Sequence, residues 1–472
     1  LAKPERRGND PDDAKRTMTS TSASTFRSWN ATQVYSLGLL ILLNLSNYLD
    51  RTIVGILQQP MKMELRLEDW QLGVISGPAF ALFYSLSGVP IARLADRINR
   101  VRLLAIALAI WSSMTALCGA AANFMHLVLA RIGVGAAEGA CTPCSHALVS
   151  DIFPPRQRGF AMSLLTTSIP IAQLLAPIIG GVVAMNWGWR AAFVVVGLPG
   201  VILAAVILFT MKEPREQPGS THVKSNSSFL ADMKLLLANR AFVWLFIASA
   251  FMGQSITSTN IFTASYFIRQ YDLSLAQVGT IVGVGSGIAG LVGTFLGGLL
   301  ADRYAGTHGR SYPIVCGIGA LLAGVFFTVV YTREVWYLAL PFLLLANVST
   351  DMKNGPNVAA TQNLAPPHMR ATASAILMVA VIVLGSGIGP IVLGTISDAV
   401  AASSFPSALG TFTETCVGGR AAEGAATEIV TACARASAAG LRGGLMAPCV
   451  TFILAGVCFI LSGRAIRQPL EA

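Results

Sequence analysis

The stretch "RLADRINR" (93–100) lies between two long apolar runs, and "LLADRYAG" (299–306) answers it in the second half of the chain. Aligning the two sets Asp96 against Asp302 and Arg97 against Arg303. A second pair, "FPPRQRGFAMS" (153–163) and "APPHMRATASA" (365–375), keeps nearly the same offset and sets Arg158 against Arg370. Matched turns at an almost constant offset mark the duplication of one structural unit.

Working outward from these turns, the chain reads as lipid-soluble. Of its 472 residues 54% are hydrophobic and 12% charged, and the charged share is about half that of a soluble globular protein. A helix of about 20 apolar residues crosses a bilayer. That rule predicts spans at 34–58, 70–95, 102–121, 125–152, 158–185 and 190–211, then 241–269, 275–301, 311–332, 336–363, 370–398 and 440–464. The expected fold class is an all-α membrane protein of twelve helices in two six-helix bundles, 34–211 and 241–464. A polar segment bearing Pro and Ser, 212–240, reads as the cytoplasmic linker between them. Residues 1–33 read as a disordered cytoplasmic tail without the apolar core of a signal peptide. Residues 465–472 form the second tail, and 399–438 an external loop.

Charge settles the expected sidedness. With the N-terminus inside, the cytoplasmic side holds 22 Lys and Arg and the other side eight. By the positive-inside rule both termini are cytoplasmic, and the net charge of +10 needs no nucleic acid to explain it. No phosphate-binding loop, metal-ligand set or nucleophile triad is present, so ATP-driven pumping is unsupported. No cofactor is expected beyond a coupling proton.

Three charges lie deep in spans of the first half. Asp50 sits within "LLNLSNYLDRTIVGIL" (42–57), and Arg131 and Glu138 share one face of the fourth span, seven residues and about 10 Å apart. Ionisable groups at that depth face a cavity or a partner and are functional by default. Asp50 and Glu138 are expected to meet across the first and fourth spans as a proton-binding pair biased by Arg131. The plainer alternative is a buried salt bridge holding two helices, for which two carboxylates and one guanidinium are a poor set. Arg51 points about 100° away from Asp50 and is expected on another wall, or snorkelling.

These residues resemble the major facilitator superfamily. "GVPIARLADRINRVR" (88–102) is similar to its signature loop, "LLADRYAGTHGR" (299–310) to the second copy, and "LARIGVGAAEG" (129–139) to the fourth-helix motif whose Arg is associated with proton coupling. "QLLAPIIGG" (173–181) approximates the fifth-helix antiporter motif, with Ala172 and Ala176 where glycine is preferred. Three stretches, 47–61, 70–97 and 131–159, resemble the Spinster lipid transporters. That resemblance implies proton-linked movement of lysophospholipids or sphingoid phosphates. It also places Asp96 and Arg97 in a cytoplasmic gate, with Asp151 and Arg158 as natural partners. Arg100 and Arg102 read equally well as topology charges.

The seventh span contains "GQSITSTNIFTASY" (253–266) and the tenth "NVSTDMKNGPNVAATQN" (347–363), both too polar to face lipid. Asn347, Asp351, Asn354 and Thr361 share a stripe, Lys353 points elsewhere, and Gly355 with Pro356 is expected to bend the helix. With Arg51, Phe83, Tyr84, Thr166, Gln173 and Gln254 they are expected to line a central substrate cavity, or to bond between helices. "CTPC" (141–144) reads as small residues for helix packing. Cys416 and Cys433, in the external loop, can pair in an oxidising compartment.

The leading reading is a monomeric secondary transporter of the bacterial inner membrane, with membrane lipids and an amphipathic substrate as its partners. A proton-coupled drug or organic-anion carrier is the runner-up. A receptor or enzyme on a transporter scaffold is the alternative from another class.

Overall fold

The computed structural model describes residues 29–95, 97–214, 229–304, 309–366 and 369–466, and every regular element among them is helical. Asn30 starts the first helix, α1 (Ala31–Leu65), with a capping box: its side chain accepts the Gln33 N–H, and the Gln33 side chain accepts the Asn30 N–H. The second crossing is α2 (Asp69–Ser76) with α3 (Pro78–Ala95), interrupted at Gly77, and the third is α4 (Arg100–Cys118). The fourth is α5 (Phe124–Glu138) with α6 (Cys141–Ile152). The fifth and sixth lie in α7 (Pro155–Thr166) and α8 (Ser168–Thr210), because the chain reverses inside α8 at Gly188, with φ 82° and ψ 161°. Only glycine takes that conformation without strain.

The second half opens with α9 (Phe229–Ala238), a helix in the linker region, and continues with α10 (Arg240–Tyr271), α11 (Leu275–Arg303) and α12 (Ser311–Thr332). Next come α13 (Trp336–Asp351) and α14 (Asn354–Leu364). Then α15 (Arg370–Val379) runs through a π-helical stretch, Ala380–Ser386, into α16 (Gly389–Ser404), and α17 (Thr427–Ala465) closes the fold. Ten stretches among the described residues are long and apolar enough to cross a membrane. One of them, Gln157–Thr210, folds back at Gly188 and so supplies two crossings, and the polar α13–α14 pair supplies another. The result is twelve crossings in two sets of six.

Two expectations need adjusting. The loop expected at 399–438 is shorter, because α16 continues to Ser404 and α17 begins at Thr427. The Ala-rich stretch before residue 440 is helical without being apolar enough to look like a span. In the tenth crossing the break falls at Met352 and Lys353, before Gly355 and Pro356.

Within the first half α1 and α4 pack on α8, and within the second α10 and α12 pack on α17. Between the halves, α8 meets α11, α2 meets α16 and α1 meets α10. α2 approaches α16 closely. A Cβ on Gly73 would stand 2.4 Å from the Pro390 carbonyl oxygen, and one on Gly394 2.4 Å from that of Asp69. Small residues permit such backbone contact, which in lipid replaces the hydrophobic drive between helices. This contact lies at the end of the bundle that carries residues 405–426, here termed the loop end. The opposite, linker end carries the turns after α3 and α11.

Candidate functional site

The buried charges gather where α1, α3 and α5 meet. Asp50 and Glu138 are wholly buried and Arg131 is 3% exposed. Arg51 donates from Nε to Glu138 Oε2 at 2.6 Å. Its guanidinium also lies over the Tyr84 ring at 4.5 Å and the Phe80 ring at 4.9 Å. Arg131 approaches the same Phe80 ring, at 5.0 Å, so Phe80 stands between the two cations. Asp50 faces Glu138, Arg131, Arg51 and the Thr115 hydroxyl, yet neither guanidinium donates a hydrogen bond to it, and Arg131 Nε donates none.

Arg51 is therefore not a separate element. A side chain as long as Arg spans the 100° that separates it from Asp50 on the helix, and it reaches the carboxylate expected to face Asp50. Two carboxylates meet two guanidinium groups, so the count of charges balances. What remains uneven is hydrogen bonding, with Glu138 held by a guanidinium and Asp50 by neither.

The two guanidinium groups border a central cavity of about 280 Å³ between the halves, and Asp50 and Glu138 lie behind them. Tyr48, Arg51, Tyr84, Arg131 and Gln173 give it a polar wall from the first half, and Thr257, Asn260, Ser286 and Ser386 add hydroxyl and amide groups from the second. Ile56, Pro177, Ile261 and Ile382 form apolar wall. Of the residues expected here, Arg51, Tyr84 and Gln173 reach it. Phe83 does not, its place being taken by Phe80 one helical turn earlier.

The others are occupied elsewhere. Thr166 donates to the Ser163 carbonyl at 2.9 Å, Asn347 to that of Leu343 at 3.0 Å, and Thr361 to that of Asn357 at 2.7 Å. Gln254 packs against Gly385 and Gly389. Asn354 donates to Asp351 at 3.1 Å and to Thr294 at 3.0 Å. Lys353 joins this cluster through Asn354, at 2.8 Å, instead of pointing elsewhere.

At the linker end, Asp96 lies outside the described residues and Arg97 is exposed. The expected Asp151–Arg158 pair does not form. Arg100 donates to Asp151 at 2.6 Å, and Arg158 Nε instead donates to the Phe153 carbonyl, at 2.9 Å. Arg100, read from sequence as equally well a topology charge, is the buried one. At the fifth helix the chain turns on Pro154, and that turn aims Arg158 back at its own backbone.

The loop end holds a charge cluster that sequence reasoning missed. The Asp69 carboxylate accepts from Lys62 at 2.6 Å, from Arg269 at 2.7 and 2.8 Å, and from the Ser397 hydroxyl at 2.7 Å. Arg269 Nε also donates to Gln59 at 2.7 Å. Asp398 of α16 accepts the N–H groups of Asp69 at 3.1 Å and Trp70 at 2.9 Å, satisfying two free donors at the start of α2. These contacts join α1 and α2 of the first half to α10 and α16 of the second. Cys416 and Cys433 are bonded, with Cα atoms 5.5 Å apart, and Gly418 of the loop they tie rests on the Lys62 carbonyl. Spacing along the chain does not pair Arg269 with Asp69, because the cluster depends on a contact between residues some 200 positions apart.

The family model of the major facilitator superfamily matches residues 40–390. The chain belongs to the major facilitator superfamily. An efflux pump of this superfamily from Mycolicibacterium smegmatis is 33% identical over 387 residues, 81% of this chain and 88% of the relative. The sphingosine-1-phosphate transporter SPNS2 of Danio rerio is 25% identical over 390 residues, 78% of this chain and 77% of the relative. A crystal structure of a bacterial homologue of the human lysosomal transporter Spinster, inward-facing and unoccupied, superposes with a TM-score of 0.82 at 27% identity, covering 93% of this chain and 98% of that one. The protein is thus a multi-pass membrane transporter of the major facilitator superfamily with Spinster relatives, and not an enzyme.

Proposed function

We propose that this transporter is proton-linked, works by alternating access and moves an amphipathic anionic lipid such as a lysophospholipid or a sphingoid phosphate. The observation that carries the proposal is Asp50, a wholly buried carboxylate that faces two guanidinium groups and accepts a hydrogen bond from neither. Burying a charge without a charged donor is costly, and taking up a proton removes that charge. Arg51 and Arg131 border the same cavity, so a phosphate entering it competes with the carboxylates for both cations. Protonation of Asp50 leaves Arg131 to an anionic headgroup, which links proton and substrate at one place.

The cavity volume is near the lower edge of the range for drug-sized ligands. It suits a headgroup, with the tail running along Ile56, Ile261 and Ile382. The proposed setting is a bacterial inner membrane with both termini cytoplasmic and the protein a monomer. The halves are then held together on the outer side, in keeping with the inward-facing relative.

The test is uptake of labelled lysophospholipid into proteoliposomes with and without a pH gradient. The wild type is expected to respond to the gradient. Asp50→Asn is expected to fold and bind substrate but to lose the response; pH-driven transport by that variant would end the assignment. The efflux-pump relative favours a second reading, a drug or organic-anion carrier, and counterflow with lysolipids against sugar phosphates separates the two.

A further inference from the structure

A second recess, a groove of about 530 Å³ near the loop end, opens between α10 and α17. Arg269 and Gln270 of α10 form one wall, Arg435 and Arg442 of α17 the other, and Ala438 and Gly443 keep its floor low. Arg435 and Arg442 are seven residues apart, so they share one face of α17 about 10 Å apart along the axis. Both are exposed, and no acid among the described residues pairs with either. Arg442 leans toward α10, close enough to bear electrostatically on the hydroxyls of Tyr266 and Tyr271.

The depth of these arginines identifies what meets them. Between Arg442 and Arg464, the basic residue in the last turn of α17, lie about 33 Å of helix at 1.5 Å per residue. The hydrocarbon core of a bilayer is about 30 Å thick. Exposed Val450, Ile453, Leu454 and Val457 fill the interval as a lipid-facing stripe. Arg442 therefore sits at headgroup level when Arg464 lies at the opposite interface, and Arg435 two turns beyond it. This end of the bundle is poor in Lys and Arg, so two unpaired cations on one groove face run against the general trend. Guanidinium forks match phosphate oxygens two at a time.

We propose that the α10–α17 groove binds the phosphate-bearing headgroup of an anionic membrane lipid in the leaflet at the loop end, with Arg435 and Arg442 as its cations. This site is separate from the central cavity, and its test needs no transport. The full chain, delipidated in detergent, is titrated with phosphatidylglycerol, phosphatidylcholine or inorganic phosphate while the thermal midpoint and lipid-bound masses are followed. Phosphatidylglycerol is expected to bind and raise the midpoint, with little effect from the other two. Each Arg→Gln substitution is expected to weaken apparent affinity about tenfold, and the double variant Arg435→Gln/Arg442→Gln about a hundredfold. Arg435→Lys/Arg442→Lys should lose less, and Arg420→Gln, at an exposed arginine of the same end, nothing. If the double variant does not fold, the single variants decide. Wild-type affinity in the glutamine variants, an equal loss in Arg420→Gln, or the same shift from inorganic phosphate alone would overturn the proposal.

Discussion

Arg51 stands beside Asp50 in the chain and pairs with Glu138 across the bundle. Its removal takes from a wholly buried carboxylate the charged donor that holds it, a change that costs about 3–5 kcal/mol. Arg51→Ala is therefore expected to lower the thermal unfolding midpoint sharply, while Arg51→Gln/Glu138→Gln, which keeps a polar pair without charge, recovers most of the loss. A single variant as stable as wild type would show that the pair contributes nothing. Sequence spacing was enough to place Arg131 and Glu138 on one face and to set Asp50 inside the bundle. It was not enough to choose the partner of Arg51, because that choice depends on how far α5 stands from α1 and on the long reach of a guanidinium. The same limit explains Phe80 and Phe83: both lie on α3, and only the packing of α3 against α5 decides which ring stands between two arginines.

Among the elements, α2 and α16 bring the backbones of the two halves into direct contact at the loop end. Gly73→Leu places a side chain where the Pro390 carbonyl already sits, so the two helices must part. The expected outcome is a larger distance between spin labels at Ala122 and Glu334, both exposed at the loop end and on opposite halves, measured by pulsed electron paramagnetic resonance. An unchanged distance would mean that this contact does not hold the end shut. Hydropathy and the repeated turns were enough to read the helices and their division into halves, since a bilayer demands long apolar runs whatever their neighbours. They did not show where helices end in water. The first turns of α17 are Ala-rich and helical beyond the membrane, whereas the reversal at Gly188 falls in the gap read from sequence between the spans 158–185 and 190–211. In the tenth crossing the polar cluster of Asp351, Lys353 and Asn354 sets the break ahead of the Gly-Pro pair.

At the scale of the whole molecule, the loop-end cluster is what the two halves must undo in order to part there. Asp69→Asn leaves Lys62 and Arg269 facing each other without their shared anion, and is expected to shift the same label pair toward longer distances; a population identical to wild type would remove the cluster from the conformational cycle. How the charges are shared out has a further consequence. Lys62 and Asp69 belong to the first half, Arg269 and Asp398 to the second. Each half thus leaves the contact with one positive and one negative group, electrically neutral on its own. Once the short-range bonds are broken, no long-range attraction is left for dissolved ions to screen. Raising ionic strength from about 0.05 to 0.5 M, which shortens the reach of exposed charges severalfold, is expected to leave the balance between open and closed loop ends nearly unchanged, so a transporter built this way keeps its conformational balance as the salinity at that face varies.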